Sequence, residues 1–286
     1  MKVAYLIRAH HAPKLLERVV RRLAGPDVGV FLHISRSAED PVYDEMVSRL
    51  QDVEGVHWLP RRRCRYGGFS LVEATLAGLD AIAEVDPLPR HTLLLSGQDY
   101  PLRSRTEIDA FLERAGERSF VHHGAIPSAG WRHERGGLDR VQRMYFERFR
   151  YKTRLLRVPF VTRRFPKGLR PYGGSAFWAL APEAVAYVER FVRENPNVVR
   201  FFRHTLIPDE LFFQTVLLNS PLRETIVNEE LHYVDWSGHT IHPATLGLED
   251  LEPMLASGKL FARKFDPAET QVLDRLDEAA QAVERA

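Results

Sequence analysis

Asp209 and Glu210 stand side by side in IPDELFFQTVLL, directly after Pro208 and directly before a run of apolar residues suited to burial. Proline in a first helical turn and acids at the positive end of a helix dipole are what a helix start favours, and one carboxylate meets that need. A second carboxylate, against Leu211 and Phe212, exceeds it. Partial withdrawal from water raises a carboxyl pKa and makes the ionised form a stronger base. Asp209 therefore reads as the structural acid. Glu210 reads as a candidate general base, able to take the proton of an attacking hydroxyl.

Other residue types suit the anionic end of such a reaction. FARKFD sets Arg263 and Lys264 between Phe261 and Phe265. Cations in an apolar frame fit a phosphate, or carboxylates of the protein itself. LLLSGQDYPLRS ends an apolar strand in Ser-Gly-Gln-Asp. That ending would expose backbone and the Asp99 carboxylate at a sheet edge, although Asp and Pro also serve simply to stop strands. The sequence contains no GxxxxGK[ST], GxGxxG, HExxH or GxSxG, so P-loop, dinucleotide, zinc-protease and serine-hydrolase chemistries are unsupported. Asp-x-Asp is absent too. A nucleotide-sugar enzyme built on this chain would then meet the diphosphate with protein cations in place of a chelated metal. The single cysteine, Cys64, excludes an internal disulfide and a multi-cysteine zinc site. Its arginine neighbours could lower the thiol pKa, but no paired base accompanies it in the sequence.

The elements that must position these residues alternate. Residues 2–7, 28–34, 56–60, 91–97 and 118–123 read as short strands, and 12–24, 38–51, 70–84 and 105–115 as helices. Such alternation argues for a mostly parallel sheet flanked by helices, with ligands beyond the carboxyl ends of the strands. The strand exits are Arg8–His11, His33–Ser37, Arg65–Ser70 and Ser96–Pro101. Further on, 173–180 looks like a strand, 182–195 a helix, 224–228 and 230–236 strands, and the tail a polar helix. With no repeat, low-complexity tract or linker, a single α/β domain over 1–265 is expected, with 266–286 as a helical tail packed on it.

Residues 131–170 differ: 13 Arg or Lys stand against Glu134, Asp139 and Glu147, interleaved with Trp131, Tyr145, Phe146, Phe149 and Tyr151. Three readings stay open: a solvated basic insertion, an acceptor-facing surface for an anionic or sugar ligand, and a single-strand nucleic-acid surface. A net charge of +2 gives no separate reason to expect nucleic acid or a membrane. No stretch approaches the roughly 20 apolar residues of a spanning helix. The apolar start, broken by Arg8 and His10, is too short for a signal peptide. A soluble, cytoplasmic protein is expected.

AYLIRAHH, FLHI, YGGFSLVEATL, LLSGQDYPLRS, GGSAFWAL, PDELFFQT, LHYVDWS, LEDL and LFARKFD follow one another from Val3 to about Asp266. As an ordered set they resemble the core-2/I-branching glycosyltransferase family, which includes β-1,6-N-acetylglucosaminyltransferases and peptide O-xylosyltransferases. The resemblance implies a GT-A fold, a UDP-sugar donor, and inversion at the anomeric carbon with no metal and no cofactor. It also implies a compact bacterial member without the membrane anchor and stem of the animal Golgi enzymes. Glu210 matches the family's catalytic base, Lys264 a lysine on the donor diphosphate, and Asp99 the acid ending the central strand near the donor sugar. Ser175 and its glycines match a segment lining the sugar pocket. Arg8, Ser35, Gly67, Gly68 and Arg263 complete the expected donor set; Trp236, Tyr100 and Trp131 form the acceptor set.

Three departures accompany the match. Ser35 stands where relatives often carry an Asp that holds uridine. SGHTIHPATL lacks an upstream Arg of the glucosaminyltransferases, leaving His239, His242 or Arg263 to supply that charge. Tyr66 stands where some relatives have Trp. The expected activity is transfer of N-acetylglucosamine or xylose to a glycan, glycolipid or peptide hydroxyl, with no nucleic-acid partner and with peripheral membrane contact left open. The alternative is a catalytically silent UDP- or glycan-binding protein of the same fold.

Overall fold

The computed structural model describes residues 1–86, 89–128, 134–147, 155–238 and 242–285. Trp131, Phe149, Tyr151 and His239 lie outside the described residues. The chain forms two compact units, each assembled from separated stretches. One comprises Met1–Arg61, Leu88–Gly116 and Glu230–Ala286; the other comprises Arg62–Pro87 and Glu117–Glu229.

The first unit is built on a parallel sheet. Strand Val3–Ala9 pairs with Val28–Ile34 on one side and His91–Ser96 on the other, and Val28–Ile34 pairs in turn with Val56–Trp58. Ala4, Tyr5, Leu6 and Ile7 are inaccessible to solvent, as continuous apolar strands should be when helices cover both faces. Helix Pro13–Leu23 contributes Leu15, Leu16, Val19, Val20 and Leu23 to the core, a three-and-four spacing that puts them on one face. The parallel register sets Arg8 level with His33 and Ser96, so the exits of these three strands share one edge. A second small sheet follows. Phe261–Arg263 runs parallel to His232–Val234 and antiparallel to Asp99–Pro101, with Arg263 opposite Asp99.

The second unit pairs Ser119–Val121 with Trp178–Leu180 antiparallel and with Ile226–Val227 parallel. Arg143–Phe146 and Leu156–Thr162 form an antiparallel pair. Every residue of helix Phe212–Leu218 is buried. The architecture is thus mixed α/β, with a mostly parallel sheet and flanking helices. Several elements differ from their sequence reading. Residues 173–180 form two short strands, Tyr172–Gly173 and Trp178–Leu180. Between them Gly174 lies so close to the His122 carbonyl that a Cβ there would collide with it. Residues 224–228 shorten to Ile226–Val227 and 230–236 to His232–Val234. The expected helix start at Pro208 is a separate 3-10 turn, Pro208–Glu210, and the α-helix begins at Phe212.

Tyr100 corrects another expectation. It is buried, its hydroxyl accepting from Arg18 Nε at 3.0 Å and donating to Asp277 Oδ1 at 2.7 Å. Arg18 Nη2 also donates to Asp277 Oδ2 at 2.7 Å. Tyr100 therefore faces helix Thr270–Arg285, which buries Val272, Leu273, Leu276 and Ala280, and is no acceptor contact. Among the described residues no helix is long and apolar enough to cross a membrane. Asp277→Ala should lower unfolding stability by about 2 kcal/mol, because it removes the acceptor of the Tyr100 hydroxyl and one of the two carboxylates that meet Arg18; Tyr100→Phe should cost about half of that. Urea unfolding checks both, and an Asp277→Ala midpoint equal to that of the parent would show the network to be idle.

Candidate active site

In the first unit the chain turns after Ser96 through Gly97 and Gln98 into Asp99–Pro101. The Asp99 carboxylate folds back over this turn. Ser96 donates its backbone N–H to Oδ2 at 2.7 Å and its hydroxyl to Oδ1 at 2.6 Å. Arg263 donates Nε–H to Oδ1 at 3.1 Å, and His232 Nε2 lies 3.4 Å from Oδ2. Asp99 is 0% exposed. Burial alone would raise its pKa, but the Arg263 charge, with His232 and Ser96, outweighs that and holds it at about 2. The expectation of an exposed carboxylate is therefore corrected: Asp99 is sealed in, as the anchor of Arg263. The Arg263 side chain keeps 21% exposure. Lys264 is half-buried and accepts Leu246 N–H on its carbonyl at 3.0 Å. Its ammonium joins no ion pair or hydrogen bond among the described residues.

Ser35 lies at the next strand exit and is buried. Its N–H donates to Ala9 O at 2.9 Å, and its hydroxyl is 2.8 Å from that of Ser37. Arg8 is half-buried on the same edge. Trp236, just past strand His232–Val234, is 45% exposed. The parallel register thus gathers Arg8, Ser35 and Asp99 at the carboxyl ends of neighbouring strands, while the antiparallel pair delivers Arg263.

In the second unit three motifs meet through the backbone. Ile207 N–H donates to Gly67 O at 2.8 Å, Glu210 N–H to Ile207 O at 3.3 Å, and Gly174 N–H to Glu210 O at 2.9 Å. Gln214 donates its side-chain amide to the Ser175 carbonyl. Gly68 packs against Glu147, which accepts Ser70 N–H at 2.8 Å. Ile207 has φ 47 and ψ 59, a left-handed conformation rare for a β-branched residue and costing on the order of 1–3 kcal/mol. The surroundings of the two acids differ from the sequence reading. Asp209 is the buried member, whereas the Glu210 side chain is 34% exposed and its Oε2 accepts Arg140 Nη2 at 3.0 Å. Glu210 is thus an ion-paired carboxylate, where the sequence suggested one set apart by partial desolvation.

Arg140 was not singled out by sequence. It lies in the basic stretch, yet it is 0% exposed. Arg163 is likewise held inside: its guanidinium donates to the carbonyls of Arg143, Phe201 and Val141 and to Thr205 Oγ1. Burial brings its pKa down to about 10. A wholly solvated basic insertion is thereby corrected, and two cations are withdrawn from any nucleic-acid surface. Nothing in the local sequence distinguishes Arg140 and Arg163 from the other cations of 131–170. Among the described residues no group of three or more His, Cys, Asp or Glu side chains could hold a metal ion.

Comparison with known proteins agrees with the motif order. Xylosyltransferase 2 of Rattus norvegicus is 28% identical over 301 residues, which covers 97% of this chain and 33% of that protein. Xylosyltransferase 1 of Homo sapiens is 25% identical over 299 residues, covering 97% and 30%. The chain thus spans about a third of the length of these relatives. A crystal structure of mouse xyloside xylosyltransferase 1, apo form, superposes with a TM-score of 0.41 at 11% identity, over 91% of this chain and 97% of that one. That likeness is too loose to extend to a site. The model of the core-2/I-branching enzyme family matches residues 3–257, and the chain belongs to that family.

Proposed function

We propose that the chain is an inverting glycosyltransferase that moves a sugar from a UDP-sugar to a hydroxyl of a glycan, glycolipid or peptide without a metal. The observation that carries this reading is the partly exposed, cation-paired Glu210 carboxylate on a turn whose backbone is hydrogen-bonded on both sides. The names of the relatives favour xylose as the sugar, with N-acetylglucosamine the other candidate of the family. Glu210 takes the acceptor hydroxyl's proton as that oxygen attacks the anomeric carbon opposite the leaving diphosphate. The bond to the diphosphate breaks with its electron pair, and configuration inverts. Negative charge grows on the diphosphate oxygens, and fixed cations stabilise it best where water is excluded. Lys264 is assigned to that charge as a point cation. Arg263, fixed by Asp99, is assigned beside it.

A second reading, UDP binding without transfer, draws on Ser35, whose hydroxyl lies against Ser37 where an Asp would otherwise hold uridine. Glu210→Gln separates the two. A roughly hundred- to ten-thousand-fold fall in kcat, with UDP affinity kept in calorimetry, supports the enzyme; parental turnover by the variant removes Glu210 from the chemistry. Lys264→Met should slow turnover about a hundredfold or more, while EDTA leaves the parent unaffected. Loss of parental activity on chelation would defeat the metal-free reading.

Asp99 adds a pH signature. Its folded pKa lies below the unfolded value, so its stabilisation is complete above about pH 4 and is lost as pH falls through about 2. Asp99→Asn should be less stable than the parent near neutral pH, and the gap should close over that acid range. A gap unchanged on acidification would show that charge is not what Asp99 contributes.

A further inference from the structure

Three donor contacts of Arg140 go to one short segment. Nε donates to Leu206 O at 3.2 Å, and Nη2 donates to Ile207 O at 2.8 Å and to Glu210 Oε2 at 3.0 Å. Leu206 N–H returns a bond to the Arg140 carbonyl at 3.3 Å. A guanidinium keeps its proton at any physiological pH, and a fully buried one is tolerated only when paired and hydrogen-bonded. Here it is answered by two carbonyls ahead of Pro208 and by the carboxylate after it. The fork is planar and rigid, so fixing two of its donors on backbone fixes where the third points. The strained Ile207 is held from both ends, by Gly67 O on its N–H and by Arg140 on its carbonyl. The turn that carries Glu210 therefore has its backbone and its side chain set by one buried cation.

We propose that Arg140 is a positioning residue for Glu210: it holds the 206–210 segment in its strained form, aims the Glu210 carboxylate, and keeps it charged between turnovers. This rests on the reading of Glu210 as general base. Other charged groups on elements packed against the turn include Asp209 on the turn itself, Asp139 beside Arg140, and Glu73, Asp80 and Glu84 of helix Ser70–Val85, of which Glu73 is paired with Arg203. Helix Phe212–Leu218 carries none.

Two readouts test the role, one of them independent of activity. With carboxyl-labelled glutamate, the Glu210 resonance is assigned by its loss in Glu210→Gln and titrated by NMR. Arg140→Gln should raise its midpoint by about one pH unit or more; an unmoved midpoint in the folded variant overturns the proposal. Arg140→Lys retains the charge but not the fork, and decides the matter if the Gln variant does not fold. It should keep the midpoint near that of the parent, while kcat for UDP release from UDP-xylose or UDP-N-acetylglucosamine falls about a hundredfold with KM little changed. Parental kcat in Arg140→Lys overturns the positioning role. Glu210→Gln assayed alongside tells the two failures apart. If it is inactive while the Arg140 variants behave as the parent, only the positioning role is lost; if it is active, the base assignment itself falls.

Discussion

A buried guanidinium cannot shed its charge, so whatever packs around Arg140 has to answer it. Isolated charge in an apolar interior costs several kcal/mol even after relaxation. Two carbonyls and a carboxylate therefore converge on one side chain. The left-handed backbone at Ile207 brings its carbonyl to Arg140 while its N–H reaches Gly67. Leu211, with φ −132 and ψ −37, separates the Pro208–Glu210 turn from the helix beginning at Phe212.

The first unit solves the reverse problem. Asp99 is a carboxylate with no access to water, kept ionised by Ser96, by Arg263 and by the nearby His232. Its partner strand supplies Arg263 directly opposite, so the pair is a property of strand register as much as of side chains. Removing one member of such a pair leaves the other uncompensated, which is costlier than never having built it. The cation at the edge is therefore held from behind by a buried acid.

The alternation of apolar strands with amphipathic helices made the α/β class legible, because burial of a parallel sheet imposes continuous apolar runs. PDE, FARKFD and SGQDY were legible as polar residues against apolar frames. The division of labour within them was not. Which of Asp209 and Glu210 is buried depends on the left-handed Ile207, and a β-branched residue before proline gives no hint of that conformation. Asp99 looked exposed because a strand-ending Asp usually caps a turn at the surface. Its burial follows from a strand some 160 residues further on, and local pattern carries no such information. Arg140 and Arg163 were lost among the cations of 131–170, since an arginine that bonds backbone carbonyls has the same letter as one in water.

Proton transfer places opposite demands on a carboxylate from those met by Asp99. A group at 0% exposure whose oxygens are engaged by Ser96 and Arg263 has neither an open lone pair nor a pKa suited to accepting a proton near neutrality. Glu210 has about a third of its side chain open. Its Oε2 accepts from a cation that stays put, which aims the carboxylate while part of the side chain remains open. Full burial would have made Glu210 a stronger base, but one cut off from its substrate. Full exposure would have left it unaimed. A buried cation behind a half-open acid meets both requirements, and it accounts for a fully buried arginine beside the one acid that the motif order marks for catalysis.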